Sequence, residues 1–435
     1  MLRLLVISSF VFFGAAPSTA QEATLVIENA FVIVGDGTVL ERGSVVVAGP
    51  RIVAVSDGQV EAPNAHRIDA AGKTVLPGMI DTHVHLLIMD LQSQPRSDEE
   101  LQTFVEGDLS ARLKAFLETG ITTVMSTGDF WPHIREVRTA IESGELLGPR
   151  VVTSGPVFTA PGGHPAAGPV CGPWEVLHRE ANPWCTDHMA AVVNTSSDAR
   201  VAVNRLTAEG IDHVKMVFDD TQPPQVNLLA PNLVAETVAA AHAEGLRAYA
   251  HISEIDKALT AIGVGLDGLV HIPYAASTDE GPVRLAEAML REGVSVATTL
   301  IGLDLMRSQM ADAGNEEMVR YFSESLSAMQ RLIVRVTEVD GSLIALGTDT
   351  PQVPPAEAFH REMELLIEAG LTPHQVIQTA TRNAASHLGR DEALGTLHAG
   401  KLADLIVVDG NPLADLSALK NLEMVIKSGE VVVAR

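Results

Sequence analysis

Pro77-Gly78-Met79-Ile80-Asp81-Thr82-His83-Val84-His85 enters through a proline and a glycine and then runs apolar and β-prone, so it reads as a buried strand. Strict alternation along that strand puts Asp81, His83 and His85 on one face. Residues two apart on a strand lie roughly 6–7 Å apart at the backbone, close enough for two imidazole rings to converge on one cation. The alternative is a pair of hydrogen-bonded core histidines. Further ligand types at matching places elsewhere in the chain decide between the two.

Outward from this strand, the sequence alternates short β-prone runs with helical periodicity. Strands are expected at 121–126, 150–155, 213–218, 247–252, 268–272, 294–299 and 342–349. Helices are expected at about 98–118, 134–142, 197–209, 233–244, 255–262, 283–292, 316–339, 357–369 and 373–388. Counting the first strand, this makes eight βα units, the pattern of a closed (β/α)₈ TIM barrel with chemistry at the C-terminal ends of its strands. Residues 24–75 read differently, as short strands punctuated by Gly and Asp, and the end of the chain (ADLIVVDG, then MVIKSGEVVVA) resembles them. Both ends are therefore expected to join one small β-sandwich, with 21–76 and 391–435 flanking a barrel over 77–390.

Before that lies Arg3, an apolar run over 4–16, and the small residues Ser18, Thr19 and Ala20. This pattern predicts a secretory signal peptide over 1–20 and an exported protein, periplasmic or secreted. No other stretch is long and apolar enough to cross a bilayer. Losing Arg3 takes the formal charge from -25 to -26, which argues against nucleic acid and anionic membranes as partners and suits a small-molecule substrate. A symmetric homo-oligomer is the ordinary expectation at this size. The two cysteines, Cys171 and Cys185, share one loop and are expected to pair in an oxidising compartment, against the alternative of two buried thiols.

Polar residues gather where a barrel would place chemistry. His83 and His85 end the first strand, Lys215 lies on the fourth (HVKMVF), His251 ends the fifth (AYAHIS), His271 ends the sixth (LVHIP) and Asp349 ends the eighth (ALGTD). Strands rich in Val, Ile and Leu seldom finish this way by chance. With NAASHLG (383–389) and GTLHAGKLADLIVVDGNP (395–412), these motifs resemble the amidohydrolase superfamily over nearly the whole mature chain. The likeness is greatest to the branch related to imidazolonepropionase and to the Xaa-Pro and Xaa-Arg dipeptidases. It implies a binuclear metal site bridged by a carboxylated lysine, and Lys215 turns the comparison toward the dipeptidase-like members.

The implied chemistry is physically reasonable. A buried lysine has a lowered pKa, and its neutral amine can add carbon dioxide to give a bidentate anionic carbamate. The assignment puts one ion on His83, His85, Asp349 and the Lys215 N6-carboxylysine, and a second on that carbamate with His251 and His271. Mixed nitrogen and oxygen ligands suit zinc best, with manganese, iron and cobalt as alternatives. Two such ions lower the pKa of a shared water from about 15.7 to roughly 7, making a bridging hydroxide the nucleophile. Asp349 then serves as general base and acid, moving the proton to the leaving nitrogen. The reaction implied is hydrolysis of an amide or peptide C–N bond in a dipeptide or N-acyl amino acid. Lactones, phosphotriesters and cyclic amidines answer to the same nucleophile, and a barrel that only binds is the non-enzymatic alternative.

Other residues carry weaker claims. His164, after Pro161-Gly162-Gly163, is expected at the substrate or as a loop brace. Tyr249 shares a face with His251 and either meets substrate or fills the barrel, and His213 reads as a packed core histidine. Asp219, Asp220, Glu254, Asp256, Asp279 and Glu280 make an acidic rim or are ordinary surface charge. Arg179, His164 and Tyr274 are the few donors available to a substrate carboxylate. His178 and His188, in the cysteine loop, have no role assigned.

Overall fold

A computed structural model describes residues 22–89, 94–168, 170–173, 180–221, 226–275, 280–350 and 353–435. The signal segment, His178, Arg179 and Asp279 lie outside the described residues. Eight parallel barrel strands are found among them: Met79–Val84, Ile121–Ser126, Arg150–Thr153, Val214–Val217, Ala248–His251, Gly268–Val270, Ser295–Ala297 and Ile344–Ala345. Each run is short, apolar and buried on both faces, as a parallel sheet covered by helices requires. The ring closes where Thr82 N–H donates to Leu346 O (3.0 Å) and Val84 bridges Thr350.

The third strand is broken. After Thr153 the chain turns through Ser154, Gly155 and Pro156 and resumes as Val157–Thr159, which pairs with both the fourth strand and an additional strand, Ala190–Val192. Gly155 has φ 64°, and a Cβ there would lie 2.8 Å from the Trp131 ring, so the break needs glycine.

Several helices differ from the sequence expectation. The 98–118 helix contains a π turn, Val105–Leu109, which lets Phe104 and Leu109, five residues apart, both face the core. The expected 373–388 helix is two, Pro373–Thr379 and Arg382–His387, parted at Thr381 (φ -131°, ψ -94°). The second piece stoppers the N-terminal end of the barrel: Ala384, Ala385 and Leu388 pack against Ile80, Met125, Val152, Tyr249, Val270 and Ala345. Helices Pro183–Met189 and Leu300–Asp312 were not anticipated.

The two chain ends build one eight-stranded sheet. Its order runs Glu430–Ala434, Leu422–Lys427, Leu405–Asp409, Lys73–Pro77, Leu25–Ile33, Val39–Ala48 and Arg51–Asp57, with His66–Asp69 beside Leu25–Ile33. Its core draws on both ends, with Ile27, Val32, Val45 and Val75 against Leu405, Val407 and Ile426. An Arg150–Asp404 ion pair, with Arg150 also donating to Ser428 Oγ at 3.0 Å, ties this sheet to the barrel.

Candidate metal centre and active site

The first strand does not alternate strictly. Its pairing with the second slips between Asp81 and Val84, which inserts one extra residue on the first strand. Asp81 consequently faces away from the histidines' convergence point, as a correction to the shared-face expectation. Its carboxylate accepts from Thr348 Oγ1 (2.7 Å) and from the backbone N–H groups of Thr348 and His83 (both 3.1 Å), so it fastens the last barrel strand to the first.

His83 and His85 do converge. Their Nε2 atoms lie 3.3 Å apart, and each is 3.2 Å from Asp349 Oδ1. Asp349 reaches this point from a left-handed backbone (φ 58°), with its own N–H donating to His83 O at 2.8 Å. His85 Nδ1 donates to Gly128 O (2.6 Å), which leaves Nε2 as the bare nitrogen. Gly128, at φ 141° and with Val157 Cγ2 2.5 Å from where a Cβ would stand, presents that carbonyl as only glycine can.

His251 and His271 form the second half. Their rings meet edge to face at 4.5 Å, and the His271 ring lies 4.7 Å from that of His83. His271, also left-handed (φ 73°), bonds Thr299 Oγ1 through Nδ1 at 2.8 Å. His251 Nε2 is 3.7 Å from Asp219 Oδ2. Lys215 is 3 % exposed on the strand between.

Burial dominates the electrostatics. It pushes His83 down to about 3 and His251 to about 4, and His271 well below its ordinary value, so these imidazoles are neutral. Burial also carries Lys215 down to about 7 against the opposing pull of Asp349, leaving a substantial fraction as free amine. For Asp349 burial pushes upward, but His83 and His85 outweigh it and hold the carboxyl well below its usual range. Burial lowers His85 too, but the Asp349 carboxylate outweighs it and raises its pKa. Three neutral imidazoles, His85, one ionised carboxylate and one amine in a buried cluster are a fitting donor set for divalent ions, and His83, His85 and Asp349 offer three ligand atoms within 4.8 Å of one another.

The weaker candidates separate. His164 is buried beside the cluster, its ring 5.8 Å from that of His251 and its Nδ1 without a hydrogen bond. Tyr249 is placed in the barrel filling: it is 1 % exposed, and its hydroxyl donates to His387 O beneath the site. His213 packs edge-on against Tyr249 at 5.3 Å. Asp219 is no rim residue. It is fully buried, accepting from Ser253 N–H (2.7 Å) and from the N–H (2.8 Å) and hydroxyl (2.7 Å) of Thr221. Asp220 and Glu254 are both paired with Lys257, whose single positive charge offsets one of the two.

Sequence reasoning passed over Asp129. It is buried and accepts from Leu86 N–H (2.9 Å), Leu87 N–H (2.8 Å) and Ser126 Oγ (2.7 Å), fixing the exit of the chain from His85. Its signal was a lone acid in the run Ser126-Thr127-Gly128-Asp129 at a barrel strand end, a weak pattern by itself.

A model described as the amidohydrolase family matches residues 74–432. Ochratoxinase from Aspergillus niger is 24% identical over 433 residues, covering 93% of this chain and 85% of its own length. Imidazolonepropionase from Geobacillus thermodenitrificans is 25% identical, covering 93% and 92%. Among solved structures, a prolidase complexed with N-methylphosphonate-L-proline superposes with a TM-score of 0.78 at 26% identity over 94% of this chain and 100% of its own. A Xaa-Pro dipeptidase with bound methionine does so with a TM-score of 0.77 at 26% identity, over 94% and 99%.

Proposed function

The chain belongs to the amidohydrolase family, metal-dependent hydrolases acting on C–N bonds, and on that premise we propose that it cleaves the amide or peptide bond of a small substrate such as a dipeptide or N-acyl amino acid. The observation that carries this reading is the convergence of His83, His85 and Asp349 on one point beside the neutral His251–His271 pair and the buried Lys215. The prolidase and Xaa-Pro dipeptidase neighbours support a dipeptide-sized substrate.

In this reading His83, His85 and Asp349 would hold one divalent ion and His251 and His271 a second, with Lys215, as its carbamate, a further ligand. When bound, such ions, zinc foremost, would supply Lewis-acid polarisation of the scissile carbonyl and a water of pKa about 7. Asp349, kept ionised at neutral pH, takes the proton from the attacking water and hands it to the departing nitrogen. Thr299 and the Gly128 carbonyl hold His271 and His85 in orientation, so neither ring must reorganise during turnover. His164, beside His251 with Nδ1 free of protein partners, is positioned to meet the substrate.

The test is a panel of dipeptides, N-acyl amino acids, lactones and phosphotriesters offered to zinc-loaded protein. We expect hydrolysis of a dipeptide or N-acyl amino acid, and a loss of about 100-fold or more in Asp349→Asn with the fold retained. Full activity in that variant would overturn the role of Asp349; turnover of only lactones or phosphotriesters would overturn the substrate class. We also place the enzyme outside the cytoplasm. The leader-like N-terminus and the Cys171–Cys185 disulfide support this, and mature protein beginning at Met1 would contradict it.

A further inference from the structure

Asp98, His133 and His188 meet on the flank of the barrel, outside the cluster described above. Asp98 opens helix Asp98–Phe104 after the first strand, His133 opens helix His133–Ser143 after the second, and His188 lies on helix Pro183–Met189 in the long excursion after the third. Their ligand atoms all lie within 4.8 Å of one another. Asp98 Oδ1 is 3.3 Å from His133 Nε2 and 3.8 Å from His188 Nε2, and the two imidazole rings are tilted 30° at 5.6 Å.

His188 and Asp98 are each held by a further contact. His188 Nδ1 lies 2.8 Å from Trp184 O; a carbonyl only accepts, so Nδ1 carries the proton and Nε2 presents a bare lone pair. The Trp184 ring stacks on His188 at 4.3 Å, and its Nε1–H donates to Asp98 Oδ1 at 3.1 Å. His133 Nε2 is shielded from solvent yet makes no hydrogen bond. A polar atom so placed costs stability unless something binds it, and here it points toward a carboxylate and a second free nitrogen. A carbonyl-oriented histidine is the arrangement that prepares an imidazole for a metal.

We propose that Asp98, His133 and His188 form a further metal centre that takes one divalent transition ion of the zinc or copper type, with water completing its coordination. Two imidazole nitrogens and one carboxylate suit these ions, whereas magnesium and calcium take all-oxygen sets. The ion joins three segments that follow successive barrel strands, one of them carrying Cys185 of the Cys171–Cys185 disulfide, so it fastens the excursion after the third strand to the barrel wall. The proposal does not depend on the hydrolase reading.

Equilibrium dialysis of the full chain against buffered zinc, read by elemental analysis, tests it. His188→Ala and Asp98→Asn are each expected to bind one equivalent fewer than wild type at unchanged hydrolytic activity. A His83→Ala/His85→Ala chain is expected to keep an equivalent that disappears when His188→Ala is added, and the copper form of the first should show, by electron paramagnetic resonance, a two-imidazole signal that is absent from the second. Asp98, whose side chain is 73% exposed, tolerates substitution, so folding of at least one variant is secured. Wild-type stoichiometry in both His188→Ala and Asp98→Asn would overturn the proposal.

Discussion

Replacing Asp129 tests whether the histidines are held by the loop that follows them. Its Oδ2 accepts from Leu86 N–H and Ser126 Oγ, and its Oδ1 from Leu87 N–H, all in a buried setting. In Asp129→Asn the amide oxygen can satisfy the two donors on one side, which turns the NH2 group toward Leu87 N–H and leaves that donor unpaired. An orphaned buried donor costs about 1–3 kcal/mol, and loss of charge from the two remaining bonds adds about 1 kcal/mol, so a destabilisation of about 2–4 kcal/mol is expected. Asp129→Ala strands all three donors and should cost more. Because Leu86 and Leu87 directly follow His85, zinc affinity should fall about 10–100-fold, as outer-shell mutations typically do. Urea unfolding of the metal-free protein gives the first quantity and competition with a chromophoric chelator the second. Wild-type stability and zinc affinity in Asp129→Asn would refute the argument.

Other expectations follow from buried groups away from the histidine cluster. Burial, against bonds from Thr298 Oγ1 and from Leu300 and Ile301 N–H, lifts the Glu362 carboxyl from 4.5 to about 7. A carboxyl raised on folding favours the native state fully below its unfolded pKa, so the Glu362 contribution to stability should decline between about pH 4.5 and 7 by about 3 kcal/mol, while the histidines whose pKa burial lowers act in the opposite sense. The difference in urea-unfolding stability between wild type and Glu362→Gln should fall by that amount across the window; parallel profiles would contradict it. Tyr249→Phe removes a buried hydroxyl that donates to the His387 carbonyl, which keeps a second donor in Arg247 Nη1 (3.1 Å), so it should cost about 1 kcal/mol of stability while kcat/KM stays within about twofold. A large fall in kcat/KM with stability intact would return Tyr249 to the substrate.

The barrel was legible because its strands are apolar runs punctuated by turns, and because His83, Lys215, His251, His271 and Asp349 interrupt apolar strands at their ends. What escaped is non-local. Helix Leu300–Asp312 starts at a left-handed Thr299 with no cap of its own; its first amides are capped by Glu362, some sixty residues later, and no local signal announces that. Asp81 left the histidine face because of a bulge, and a bulge depends on the neighbouring strand, here on the 124–126 stretch that pairs with Asp81 and Val84. Asp219 looked like one rim carboxylate among many until the fold turned Ser253 and Thr221 toward it. Asp98, His133 and His188 are each unremarkable in the sequence and become a cluster only when three consecutive loops pack together.

The most direct measurement is an anomalous difference map, collected at the zinc edge from crystals of zinc-loaded protein grown without chelator. The account predicts one peak shared by His83, His85 and Asp349, a second on His251 and His271, and continuous density from Lys215 Nζ reaching both. Imidazoles with no anomalous density beside them, or a Lys215 side chain directed away from the histidines, would contradict it.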